Sequence, residues 1–111
     1  MSDLPPDNPQ AITPGEMALA KIEGETAKMA WSELQRFFAN GTALYVAPEL
    51  DLVQVAFQMS EDNSAQVAHW LANKQLGQVR DSQALAWLGA DQMMWTVVVK
   101  PWILVQPLTQ N

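Results

Sequence analysis

The residues with the most reactive side chains lie between positions 51 and 69 of the chain. His69 is the only histidine, and an imidazole can act near neutral pH as a general base or as a metal ligand. Asp62, Gln66 and His69 recur at intervals that place them on one face of a helix. With Asp51, which precedes them, they form a candidate polar site for a small enzyme or a metal-dependent protein.

A solvated surface is the simpler interpretation of the same residues. Asp62 and His69 are seven positions apart, about two helical turns, which is a poor spacing for binding one ion. A tight zinc site needs further ligands, and the chain has no cysteine and no second histidine. Asp51 at the start of a predicted helix is most simply a cap. We therefore assign no catalytic residue, and we expect neither a metal site nor a cofactor.

The aromatic residues are dominated by tryptophan, with five tryptophans against one tyrosine and three phenylalanines. Indole rings favour a compact core, but exposed ones also concentrate binding energy at partner surfaces. Trp102 lies beside a proline in an apolar C-terminal stretch, and an unpaired strand there would invite pairing with another chain. We therefore predict a partner surface at Trp102, Met93 and Met94, used for self-association or for a protein partner.

The charge of the chain argues against polyanionic partners. Twelve acidic and six basic residues give a formal net charge of -6, and the bases are dispersed along the chain. Nucleic acids and anionic membranes are bound through clustered bases. Residues 1–14 do not resemble a signal peptide, and no apolar run reaches the roughly 20 residues of a membrane span. We expect a cytoplasmic protein without a membrane partner.

The order of helix and strand signals predicts an α+β fold. Thr13-Pro14-Gly15-Glu16 has the residues of a capping box at a helix start, and Asn40-Gly41 is typical of a helix stop. One bent helix or two helices between these signals fit equally well. Strands are predicted at 42–47, 76–80 and 94–106, and further helices at 51–60, about 63–73 and about 81–88.

The C-terminal stretch contains a proline that must interrupt its hydrogen-bond ladder. Lys100-Pro101 separates Trp95–Val99 from Trp102–Gln106, and a two-residue hairpin there would need a cis proline. One long kinked strand is the preferred interpretation. The chain is then a single compact α+β domain with four to five helices packed on a small two- to three-stranded sheet. The predicted boundaries are a flexible arm at 1–12, the domain at 13–107 and a tail at 108–111.

Two of the predicted helices, 51–60 and 64–73, are joined by a short turn, as in a helix-turn-helix motif. The second helix would present two amides, one histidine and one lysine to a DNA groove, which is a weak set for phosphate and base contacts. Because the net charge is also -6, a nucleic-acid reader is the least favoured alternative.

Several short segments occur in a distinctive order. They are Trp31-Ser32-Glu33-Leu34, Pro48–Val53 (PELDLV), Glu61-Asp62-Asn63 with Gln66-Val67 and Trp70, Asp81–Ala84 with Trp87, and Val98–Gln106 (VVKPWILVQ). In this order they resemble a small bacterial family known only as a domain of unknown function. The resemblance covers about residues 29–106. It implies a short bacterial cytoplasmic protein, and it implies no activity.

These observations favour a small non-catalytic interaction or regulatory module of the bacterial cytoplasm, with self-association as one mode. A small enzyme or metal-dependent protein using clustered carboxylates and His69 is the alternative from a different class. A helix-turn-helix-like nucleic-acid binder follows it. The enzyme alternative requires Asp51, Asp62 and His69 to converge in space, which depends on the tertiary structure.

Overall fold

The computed structural model describes residues 13–108, in which five α-helices and one 3-10 helix pack on the two faces of a five-stranded sheet. The arm predicted at 1–12 and tail residues 109–111 lie outside the described residues. The helices are α1 (Pro14–Glu25), the 3-10 helix (Trp31–Leu34), α2 (Gln35–Ala39), α3 (Leu52–Ser60), α4 (Ser64–Ala72) and α5 (Asp81–Gly89). The strands are β1 (Ala27–Ala30), β2 (Ala43–Val46), β3 (Leu76–Gln78), β4 (Met93–Val99) and β5 (Trp102–Pro107).

The sheet is mixed, with the strand order β1-β4-β5-β2-β3. β5 runs parallel to β2, and every other neighbouring pair is antiparallel. β4 and β5 therefore each have a strand on both sides, and β1 and β3 are the edges. Both edge strands are short, which limits the unpaired backbone that the sheet offers to other chains.

The sheet has five strands, so the prediction of two to three strands is wrong, although the α+β class is confirmed. β1 (AKMA) lies inside a stretch that was predicted to be helical. The strand could not be recognised in the sequence because four residues are too few to show a clear alternation of apolar and polar residues. It is a strand because it pairs with β4, from Ala27 opposite Thr96 to Ala30 opposite Met93. Between positions 14 and 40 the chain is thus helix, strand, 3-10 helix and helix.

The C-terminal stretch is a hairpin, so the prediction of one long kinked strand is wrong. β4 pairs with β5 from Met94 opposite Pro107 to Val99 opposite Trp102, which leaves Lys100 and Pro101 for the turn. The peptide bond between these two residues is cis, as the sequence argument required of a hairpin. Folding back is favoured because each strand then satisfies backbone groups of the other.

Local capping signals are confirmed at both ends of the N-terminal region. The Thr13 hydroxyl accepts a hydrogen bond from the Glu16 N–H at 3.1 Å, and the Glu16 carboxylate accepts one from the Thr13 N–H at 2.8 Å. Gly41 follows α2 with φ of 74°, the left-handed conformation that glycine adopts without strain. Between residues 13 and 108, no helix has the length and apolar character that a membrane crossing requires.

The sheet buries one core on each face. On the first face Trp31 is fully buried, and its indole N–H donates to the Ala84 carbonyl at 3.1 Å while the Trp87 ring packs edge-on at 5.0 Å. On the second face α3 packs against the sheet through apolar residues such as Val55, close to Leu104. The second core includes Val97 of β4 but stops before Trp95, on the same face, which is 36% exposed. One end of this face is therefore open.

Candidate functional site

The four residues of the predicted polar site do not form one site. Asp51 precedes α3 and Asp62 follows it, which separates them by about 15 Å along the helix axis. The Asp51 carboxylate caps α3 by accepting from the Val53 and Gln54 N–H groups at 3.0 and 3.4 Å. Asp62 lies in the turn to α4 with φ of 60°. The capping role expected for Asp51 is thus confirmed.

Gln66 and His69 lie on α4, the helix that follows Asp62. His69 is exposed, and its Nε2 is 3.1 Å from Nδ2 of Asn73, one turn further along the helix. Within the part of the chain that the structure describes, no group of three or more histidine, aspartate or glutamate side chains is arranged to hold a metal ion. The convergence that the enzyme alternative required is therefore not found among these residues.

The predicted partner surface is also divided. Met94 is fully buried in the first core, whereas Met93 points to the other face and is 40% exposed. Trp102 is half-buried opposite Val99, at the other end of β4, which is about 20 Å from Met93 along the strand. Because β4 and β5 are interior strands, the prediction of an unpaired C-terminal strand is wrong.

The open end of the second face holds a groove of about 410 Å³ between the end of α1, the start of α3 and the sheet. Trp95 of β4 and Gln106 of β5, directly opposite each other in the hairpin, are the sheet residues that line it. The other lining residues are Glu23, Thr26, Leu50, Asp51, Leu52 and Val53. This volume lies within the range of small-ligand sites and is suited to one long side chain.

Gln106 is a polar residue in an otherwise apolar strand, and it is only 9% exposed. Its Nε2 donates to the carbonyls of Ala47 and Leu50 at 2.9 and 2.7 Å. These bonds tie the chain before α3 to the sheet and use both amide hydrogens. Among residues 13–108 its Oε1 accepts no hydrogen bond, so this oxygen can accept one from a ligand.

Trp95 already attracts a positive charge. Nζ of Lys28, its cross-strand neighbour on β1, lies 5.0 Å from the centre of the indole ring. Cations are drawn to the electron-rich face of tryptophan more strongly than to that of other aromatic residues. Lys28 is not among the residues that line the groove.

Among residues 13–108, the charged groups that line the groove are two carboxylates. The carboxylates of Glu23 and Asp51 belong to the end of α1 and the start of α3. The Asp51 Oδ1 is engaged in capping, which leaves Oδ2 for other donors. Two carboxylates, an amide oxygen and an aromatic ring make a site suited to a cation with several hydrogen-bond donors.

The groove could not be predicted from the sequence because its residues come from four separate elements. One signal was available, since Gln106 directly follows the apolar run WILV within the C-terminal strand. A polar residue in such a position is buried only with hydrogen-bond partners. The helix pair predicted at 51–60 and 64–73 is present as α3 and α4, and its role with nucleic acid stays a prediction.

Comparisons with known proteins identify relatives of this chain. A family model described as "Protein of unknown function (DUF2288)" matches residues 18–107. The chain is also similar to PA1075 from Pseudomonas aeruginosa, known from an NMR solution structure. The two have 41% sequence identity and a TM-score of 0.75, and the match covers 85% of this chain and 87% of that chain. No curated protein matches.

Proposed function

Because this chain belongs to the DUF2288 family, which is described as proteins of unknown function, we propose its function from the groove itself. It is a non-catalytic interaction module that binds a basic segment of a partner protein. The observation that carries this proposal is the lining of the groove, where Trp95, Gln106 and two carboxylates offer a ring and acceptors. Among residues 13–108 no base belongs to this lining, although Lys28 lies over the Trp95 ring from outside it.

Arginine is the residue that the groove fits best. A guanidinium group stacks on an aromatic face and carries five donors in one plane. In the groove it would lie against Trp95 and donate to Oε1 of Gln106 and Oδ2 of Asp51. A lysine would satisfy the charge but not the planar stacking, so it should bind more weakly.

The test is a titration with a short peptide, acetyl-Gly-Arg-Gly-amide, followed by ¹⁵N NMR. We expect the indole N–H of Trp95 and the side-chain amide of Gln106 to shift, and the shifts to weaken as salt is added. The same peptide with citrulline in place of arginine has nearly the same shape without the charge. Equal shifts with both peptides would overturn the proposal.

Substitutions around the groove sharpen the test. Asp51→Asn removes the charge but keeps a good cap, and Asp62→Asn makes the same change at the other end of α3. We expect the first to weaken arginine binding about threefold to tenfold and the second to leave it unchanged. Trp95→Leu should weaken binding by a similar factor. Equal affinities for the two aspartate variants would contradict the proposed site.

Removing a basic residue beside the groove should increase the affinity for the arginine peptide, the opposite of the effect expected for the variants above. Lys28→Gln removes the cation that now lies over Trp95, so the arginine peptide should bind more tightly. Lys21→Gln, on α1 and outside the lining of the groove, is the matched control and should have little effect. Weaker binding by Lys28→Gln would count against stacking on this ring.

Self-association through β1 is a second candidate mode, which the backbone of this edge supports. The Trp31 N–H donates to the Gln92 carbonyl at 2.8 Å. In an antiparallel pair, every second residue of a strand bonds to the partner strand and the residues between them face the other way. The N–H and C=O groups of Lys28 and Ala30 therefore point away from β4. Among the described residues no strand pairs with that side. A second copy could pair antiparallel with Lys28 opposite its Ala30, which keeps the two lysines from facing each other. A monomer mass from light scattering at micromolar concentration would exclude self-association through β1, but it would not affect the proposal that the groove binds arginine.

A further inference from the structure

A second depression lies at the opposite edge of the sheet, beside β3. It has a volume of about 280 Å³ and is bounded by β3, the end of α4 and the start of α5. Leu71 and Leu76 give it an apolar wall, and Tyr45 borders it from β2. We call it the β3 cleft, and it shares no lining residue with the groove at Trp95.

Gly77 leaves room for this cleft. It is paired with Tyr45 across the two strands, and a Cβ placed on it would meet no atom within 4 Å. Its φ is not positive, so the backbone does not require glycine here. The physical consequence of glycine at this position is open space beside the Tyr45 ring.

The polar rim of the β3 cleft is rich in donors. The chain has twelve acidic and six basic residues, yet two of the bases, Lys74 and Arg80, line this one cleft, whereas no carboxylate from the described part of the chain does. Lys74 follows the C-cap of α4 and has the left-handed conformation, with φ of 60°. Gln83 also lines the cleft, and its Oε1 accepts from the Arg80 N–H at 3.0 Å, which leaves its Nε2 as a further donor.

Tyr45 adds a hydroxyl donor at neutral pH. Burial raises the pKa of its phenol above the ordinary value of 10.0, and the negative charge of Glu49 adds to the rise. The positive charge of Arg80 opposes it, which indicates that the field of the guanidinium reaches the phenol. The phenol therefore stays protonated well above neutral pH.

We infer that the β3 cleft binds an organic anion, a carboxylate or phosphate monoester attached to a small apolar body. The anionic head lies between Lys74 and Arg80, where charge-assisted hydrogen bonds are strongest. The apolar body lies beside the Tyr45 ring, in the space that Gly77 leaves on that face of the sheet.

The probes are benzoate, phenyl phosphate, inorganic phosphate and neutral benzyl alcohol, each titrated against the ¹⁵N-labelled protein. We expect benzoate or phenyl phosphate to shift the Gly77 amide and the Arg80 Nε–H, and inorganic phosphate and benzyl alcohol to bind at least fivefold more weakly. The preferred organic probe identifies whether the head is a carboxylate or a phosphate. Equal binding of benzyl alcohol and both organic anions would overturn the inference.

Two substitutions separate this site from nonspecific attraction. Gly77→Val fills the cleft with a residue that strands favour, so it should abolish binding without loss of stability. Arg80→Gln should weaken binding about fivefold or more, whereas Arg36→Gln, whose guanidinium lies over Phe37 outside the cleft, should not. Unchanged affinity in Arg80→Gln would refute the inference, even if Gly77→Val failed to fold.

The absorbance of the tyrosine gives a spectroscopic test of where the anion binds. A bound anion should raise the Tyr45 pKa further, because negative charge disfavours the phenolate. The chain has one tyrosine, so its ultraviolet absorbance reports this group alone. An unchanged tyrosine titration with saturating anion would place that anion elsewhere. The arginine-peptide titration reads Trp95 and Gln106, so either proposal can fail without the other.

Discussion

Replacing Gln106 by methionine tests whether this residue, which lines the groove at Trp95, also stabilises the segment before α3. The Gln106 side chain donates to the carbonyls of Ala47 and Leu50, which precede the helix. Methionine has a similar length and no donor, so both carbonyls lose a hydrogen bond while the space stays filled. The variant therefore isolates the polar contribution of a nearly buried side chain.

The expected loss can be worked from the two acceptors. The Ala47 carbonyl still accepts from the Leu50 N–H at 3.0 Å, so it loses about 0.5–1.5 kcal/mol of net hydrogen bonding. Among residues 13–108 the Leu50 carbonyl has no other donor, and leaving it unpaired costs about 1–3 kcal/mol. We expect the free energy of unfolding to fall by about 1.5–4.5 kcal/mol and Tm by about 6–20 °C.

Urea unfolding followed by tryptophan fluorescence measures this loss. Gln78→Met is the matched control, because exposed Gln78 makes one hydrogen bond of the same kind, to the Gly41 carbonyl at 2.9 Å. Its cost should stay below about 1 kcal/mol, since water can replace an exposed donor. If the two variants lose equal stability, the bonds of Gln106 do not hold the start of α3 as argued.

Three further perturbations follow from the structure. Trp31→Phe loses the bond to the Ala84 carbonyl and part of a fully buried ring, so calorimetry should show a loss of about 2–3 kcal/mol; a loss below about 1 kcal/mol would contradict the packing. Asp51→Ala should lower the free energy of unfolding by about 1 kcal/mol because α3 loses its cap, whereas Asp51→Asn should leave it almost unchanged. If urea unfolding shows equal losses for the two variants, Asp51 does not stabilise the fold as a cap. The Tyr45 pKa is raised in the fold, so its contribution to stability is present below the ordinary value of 10.0 and is lost as the pH rises through the folded-state pKa. Tyr45→Phe should remove that alkaline loss, and a phenol in the folded protein that titrates at or below 10.0 would refute it.

Signals that act within a few residues could be predicted from the sequence. The capping box of Thr13 and Glu16, the cap at Asp51 and the left-handed Gly41 are all found as predicted. Each depends on a hydrogen bond or a dihedral preference between near neighbours. The nearest residues therefore decide them, whatever the rest of the chain does.

Strand pairing could not be predicted in the same way. AKMA is a strand because Thr96 and its neighbours lie beside it, 69 positions along the chain from Ala27. Likewise, the residue types of Lys100 and Pro101 are compatible with a kinked strand and with a turn. The pairing of β4 with β5 decides for the turn. In both cases the backbone donors and acceptors find their partners outside the segment.

Residue types and their spacing predict the class of the fold and the helix caps, and the composition shows an acidic chain rich in tryptophan. Only tertiary contacts make β1 a strand beside β4 and bring Glu23, Trp95 and Gln106 into one groove. The physical reason is that caps are local hydrogen bonds, whereas a groove is the space left when distant elements pack. The groove therefore cannot be predicted from any single short segment of the chain.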